Sequence, residues 1–226
     1  MFYTLVTMVQ KNRYFFIPFL VWIILGGLLI LLYPKEDLFL TVNQLHNPVA
    51  DILTTITTYL GDGKTYGGIL LILLIRRQWR PFMISASILA LVTLLVISGK
   101  HVFDEPRPIT YFADIASTLH TVSWVPPHAW NSFPSGHTST AFALFCFMAI
   151  WWEKKQMGLL FFALGLAAAH SRIYLCQHFF EDVYAGSIIG TFSSVFIYGL
   201  FELRKTGKPG TTRSRETVIT PSAGVA

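Results

Sequence analysis

Charge is what this 226-residue sequence has least of: Asp, Glu, Lys and Arg make up 13% of it, against 53% hydrophobic residues. The apolar residues fall in blocks long enough to cross a bilayer, so a water-soluble globule is excluded. Cysteine is scarce as well. Cys146 and Cys176 are expected at different depths of different spans, which argues against a disulfide and leaves the redox compartment undefined. No His-x3-His or Glu-x2-His pair occurs among the residues expected on the outer side, so no metal is expected. The net charge is +5, yet no soluble basic patch accompanies it, which sets nucleic-acid binding aside. No internal repeat is visible. The first apolar run is longer than a signal-peptide core and ends in "LLYPKED" without a small-residue cleavage site, so it is expected to stay as an anchor.

What the sequence does have is six candidate spans. Residues 15–33, 82–99, 134–152, 157–175 and 183–201 each approach the roughly 20 residues that a hydrocarbon core demands. A sixth, within residues 48–75, needs "ILLILLI" extended backward through "GDGKTYGG" into "ILTTITTYL", with a helix break at the glycines. The cations orient this layout. Lys11, Arg13, Arg76, Arg77, Arg80, Lys154, Lys155, Arg204, Lys205, Lys208, Arg213 and Arg215 all fall on one side, which the positive-inside rule makes cytoplasmic. The expected fold class is therefore all-α: a polytopic membrane helical bundle of six transmembrane helices with both termini cytoplasmic. Residues 1–204 form its one domain and residues 205–226 a disordered cytoplasmic tail. Residues 34–48 suggest a short interfacial helix, and residues 100–133 form the longest loop, rich in proline and aromatics.

Five cations remain on the outer side: Lys35, Lys64, Lys100, Arg107 and Arg172. Three of them, Lys100, Arg107 and Arg172, meet the mouth of the fourth span, where Pro134, Ser135, Gly136 and His137 open a helix. Proline starts a helix without losing a needed donor, glycine admits an oxyanion closely, and free backbone N–H groups point outward. A phosphate suits that place. In "HSRIYLCQHFFEDVYAG", His178 and Asp182 stand four apart on one helix face. A carboxylate on one imidazole nitrogen fixes the tautomer and leaves the other nitrogen free to attack.

"KHVFDEPRP", "PSGH" and "SRIYLCQHFFED" together resemble the three signatures of the type 2 phosphatidic acid phosphatase superfamily, K-x6-R-P, P-S-G-H and S-R-x5-H-x3-D, with no departure at any motif position. The resemblance spans residues 100–182. It implies a metal-independent lipid phosphatase without a cofactor, in which His178 attacks phosphorus to form a phosphohistidine and Asp182 orients it. His137 protonates the leaving oxygen, and Lys100, Arg107, Ser135, Gly136 and Arg172 hold the phosphoryl oxygens. Undecaprenyl pyrophosphate is the favoured substrate, followed by phosphatidylglycerol phosphate, phosphatidic acid and lipid A phosphates. The enzyme would sit in the cell membrane with its site on the periplasmic or extracellular face. The partners implied are the lipid phosphate and the bilayer, with the oligomeric state open.

Three other functions use the same residues: transfer of the phosphoryl group to an acceptor alcohol, haloperoxidase chemistry on vanadate, and lipid-phosphate transport without catalysis. Two lures fail on spacing. "GDGKT" lacks the glycine of a Walker A loop, because Thr58 stands there, and a cysteine phosphatase would need arginine where Asp182 stands. His46, His101, His120, His128 and His170 are expected to be structural or interfacial, and Cys176 to be packing.

Overall fold

The structure is a computed structural model that describes residues 2–206. All regular elements in those residues are helical, and an isolated bridge joins Pro106 to Trp130. Helix α1 (Phe2–Lys11) precedes the first span and has no counterpart among the sequence expectations. Helix α2 (Arg13–Leu32) follows, then α3 (Lys35–Asn43), the interfacial helix expected after it. Helices α4 (Pro48–Thr58) and α5 (Gly63–Ile75) come next, and α6 (Trp79–Phe103) takes Lys100 into its last turn. A short α7 (Pro108–Tyr111) leads to α8 (Gly136–Trp151), α9 (Met157–Tyr174) and α10 (Phe180–Thr206).

Four helices, α2, α6, α9 and α10, are long and apolar enough to cross a membrane; α5 and α8 are apolar but shorter, at 13 and 16 residues. The long loop expected over residues 100–133 is partly helical, holding the end of α6, α7 and a 3₁₀ segment, Ala113–Thr118. Of the tail expected from Lys205, Lys205 and Thr206 belong to α10; residues 207–226 lie outside the described residues.

The break expected in residues 48–75 is present and has a local cause. Asn47 caps α4, accepting from Ala50 N at 2.9 Å with Pro48 in the first turn. After a 3₁₀ turn, Tyr59–Gly61, Asp62 is extended and accepts from Lys64 N at 2.9 Å, starting α5 afresh. Gly61 is required there by packing, because a Cβ would collide with the His137 carbonyl. Lys64, in the first turn of α5, is exposed.

Helix α8 forms the centre, enclosed by α6, α9 and α10. Its seam with α10 is a small-xxx-small contact: Gly186 lets Ser135 O approach, Gly190 lets the Ser139 carbonyl approach, and Ser194 Oγ donates to Ala143 O at 2.7 Å. Phe15, Phe142 and Phe162 pack edge-on between α2, α8 and α9. At the end opposite the motifs, Arg80 Nη2 donates to Glu202 Oε1 at 2.6 Å and Gly158 abuts Phe15, which gathers Arg13, Arg80, Lys154, Lys155 and Arg204 at one pole.

Candidate active site

The opposite pole collects the three motifs. Ser135 is the N-cap of α8: its Oγ accepts from Thr138 N at 3.4 Å and from Thr138 Oγ1 at 3.0 Å. Its own N–H donates to Asp182 O at 3.1 Å, which ties the start of α8 to the first turn of α10.

The end of α9 places the nucleophile candidate. Cys176 adopts a left-handed backbone, φ 57°, and reverses the chain. The Arg172 carbonyl then accepts both Gln177 N at 2.9 Å and His178 N at 3.1 Å. Arg172 and His178 thus share one turn, and Cys176, expected as packing, is buried and also forms its corner. Both cysteines are free.

His178 and Asp182 are each 1% exposed, with His178 Nδ1 3.2 Å from Asp182 Oδ2. With its proton on Nδ1, the imidazole donates to the carboxylate and keeps its Nε2 lone pair free. The same Oδ2 accepts from Phe179 N at 2.8 Å and from Ser132 Oγ at 2.5 Å. Burial, followed by the charges of Arg107, Arg172 and Lys100, holds the His178 pKa well below the usual imidazole value, so His178 is neutral at neutral pH.

The cations are held by the backbone. Arg107 Nε donates to Trp130 O at 2.9 Å, and its Nη1 donates to Gln177 Oε1 at 3.0 Å. Lys100 Nζ donates to Asn131 O at 2.9 Å. Arg172 Nη1 donates to Thr58 Oγ1 at 2.5 Å, but its Nε is buried with no hydrogen-bond partner. A buried unpaired guanidinium donor is costly unless an anion completes it. Lys100, Arg107 and Arg172 all act electrostatically on His178. His137 and Gly136 stand at the edge of a cavity of about 160 Å³ between the break and α6, lined also by Gly61, Gly63, Val92 and Val96.

All eight expected site residues are therefore at one pole. Residues outside the motifs join them: Thr58 on Arg172, Gln177 on Arg107, Ser132 on Asp182. Gln177 adjoins a motif position in the sequence and Ser132 lies close to one, whereas nothing in the sequence marks Thr58. His128, expected to be interfacial, stands within electrostatic reach of Arg107, Arg172 and Lys100; burial and these charges lower its pKa. His120 fits its structural expectation, with Nε2 2.7 Å from Asp51 Oδ1 and its ring stacked on His46 at 4.0 Å. Among the described residues no group of three or more His, Cys, Asp or Glu side chains is arranged to hold a metal ion.

The profile of the PAP2 superfamily matches residues 69–205. The lipid A 4'-phosphatase of Bacteroides thetaiotaomicron is 26% identical over 172 residues, 72% of this chain and 74% of the relative. The undecaprenyl-diphosphatase BcrC of Bacillus subtilis is 28% identical over 178 residues, 77% of this chain and 86% of the relative. Among solved structures, Aquifex aeolicus LpxE aligns with a TM-score of 0.64 and 30% identity, covering 72% of this chain and 93% of that one. A Bacillus subtilis phosphatidylglycerolphosphate phosphatase aligns at 0.61 with 20% identity, 89% of this chain and 97% of that one, which speaks to the fold alone.

Proposed function

The chain belongs to the PAP2 superfamily and is a multi-pass membrane lipid phosphatase, and from that footing we propose that it removes the terminal phosphate of undecaprenyl pyrophosphate through a phosphohistidine. The observation that carries the phosphoryl-transfer reading is the buried, unpartnered Arg172 Nε, on the residue whose carbonyl also holds the His178 backbone. The substrate's phosphoryl oxygens complete that donor, with Lys100, Arg107, Ser135 and the Gly136 backbone as the other ligands.

In the first step His178 Nε2 attacks phosphorus in line, the bond from phosphorus to the leaving oxygen breaks, and His137 gives that oxygen a proton. In the second, His137 takes a proton from water as its oxygen attacks phosphorus, the P–N bond breaks, and inorganic phosphate leaves a neutral His178. Asp182 stabilises the imidazolium character that develops on His178 in between. The cations stabilise charge on the transferring group, the largest contribution a protein makes to phosphoryl transfer. No metal takes part in this scheme.

The proposed topology has six spans, with α4 and α5 together as the second, both termini cytoplasmic and the site at the outer face. Residues 1–204 are its single domain. The narrow cavity beside His137 lies among apolar residues of α6, where a slender polyprenyl chain leaves the site more readily than two acyl chains. The relative that acts on undecaprenyl diphosphate, aligned over 86% of its length, supports the same choice.

The test is phosphate release by purified protein in detergent, without added metal, from undecaprenyl pyrophosphate, phosphatidylglycerol phosphate, phosphatidic acid and lipid A phosphates, beside His178→Ala. Release that vanishes in the variant and is fastest from the polyprenyl diphosphate is expected. Equal release by His178→Ala removes the phosphohistidine, phosphorylation of an added alcohol in preference to water makes the protein a transferase, and faster release from another lipid reassigns the substrate.

A further inference from the structure

Residues 126–132 cross the site and meet its side chains at four places. Pro126 O accepts from Gln177 Nε2 at 3.2 Å, Trp130 O from Arg107 Nε, and Asn131 O from Lys100 Nζ. These three contacts use backbone carbonyls that any residue supplies. The fourth needs a side chain. Ser132 is 1% exposed, its N–H donates to Glu105 O at 2.9 Å, and its Oγ–H donates to Asp182 Oδ2 at 2.5 Å.

We infer that Ser132 is a positioning residue of the reaction, the outer member of a Ser132–Asp182–His178 relay that holds the carboxylate in the one orientation from which it can receive the imidazole N–H. The inference rests on the reading of His178 as nucleophile. Three donors converge on Asp182 Oδ2, from Ser132, Phe179 and His178. The Phe179 donor comes from the same turn as the carboxylate and moves with α10. Ser132 belongs to a different segment, anchored through Glu105, so it alone references the carboxylate to the far wall of the site. A hydroxyl between that wall and the carboxylate also divides the negative charge. Without it, the whole charge falls on His178 and favours the imidazolium, which cannot attack.

Three variants and one coupling test it, on whichever panel lipid phosphate the wild type hydrolyses. Ser132→Ala is expected to lower kcat about ten- to hundred-fold, the value of one hydrogen bond to a charged group, with KM within about two-fold. The acid limb of kcat/KM should move to higher pH by about half a unit. Ser132→Thr, which keeps the hydroxyl, should restore the limb, and Ser132→Cys, a weak donor, should fall between. In an Asp182→Ala background, Ser132→Ala should cost less than three-fold, because the acceptor it serves is gone.

Wild-type kcat and pH profile in Ser132→Ala overturn the inference. So does a raised KM with an unmoved limb, which marks a purely structural tether for Arg107 and Lys100. Should Ser132→Ala not fold, Ser132→Cys decides alone: an unmoved limb and kcat overturn the relay. Failure of the underlying reading looks different, since His178→Ala then retains activity whatever Ser132 does.

Discussion

Helices α2 and α8 have similar apolar content and opposite surroundings. Of the 20 residues of α2, Phe15 and Gly26 are buried, and Leu31 is 83% exposed to what would be lipid. Of the 16 of α8, eleven are buried, including Thr138 and Ser139. The difference follows side-chain size. Helix α2 is built of Leu, Ile, Val and Phe, which lie against acyl chains as readily as against protein. The first half of α8, "GHTSTAFA", is built of small and hydroxyl residues, which let α10 approach through Gly186 and Gly190. In a bilayer, apolarity says that a helix spans; small residues say which helix holds the centre.

That contrast can be broken at its strong end first. Gly190→Leu drives a side chain into the Ser139 carbonyl and the Ala143 amide, and should abolish both monodisperse protein on size exclusion and activity. Next in size is Arg172→Lys. It keeps the charge but loses the fork that meets Thr58 and, in the proposed scheme, the phosphate, so kcat/KM should fall about hundred-fold in the phosphate-release assay with the fold intact. Smaller is the pH effect at the buried pole. Because His178 is held well below the usual imidazole pKa, the acid limb of kcat/KM should lie below about pH 6.5; a limb at or above that value would mean that the three cations do not act on it. At the weak end stands α2. Trp22→Phe removes its hydrogen bond to Ser187 Oγ, 2.9 Å, and should cost about 0.6 kcal/mol in thermal unfolding in detergent. Leu31→Ala should cost less still, because Leu31 is not packed on protein.

The candidate catalytic pole was legible because the chemistry proposed for it demands particular side chains at fixed spacings. His178 and Asp182 four apart, and Pro134 to His137 at a helix start, can be read without coordinates. Ser132, Gln177 and Thr58 were not, since their partners lie 50, 70 and 114 residues away and hydroxyl and amide side chains occur everywhere. Span ends were off by a few residues, as at α6, which runs to Phe103 where apolarity stops at Gly99. Hydropathy records where side chains become polar, while a helix continues until its backbone turns, here at Asp104 with φ 41°. Helix α1 escaped because ten residues of mixed character do not reach span length.

The two short helices leave a step. Helices α5 and α8 both begin beside the candidate active site and rise about 20 Å and about 24 Å over their 13 and 16 residues, less than the roughly 30 Å of a hydrocarbon core. Helix α10 starts level with α8, through the bond from Ser135 N–H to Asp182 O, and rises about 30 Å over the residues from Asp182 to Glu202. The shortfall of α8 therefore falls at the basic pole, so the bundle is flush at the end where a substrate would enter and stepped at the other.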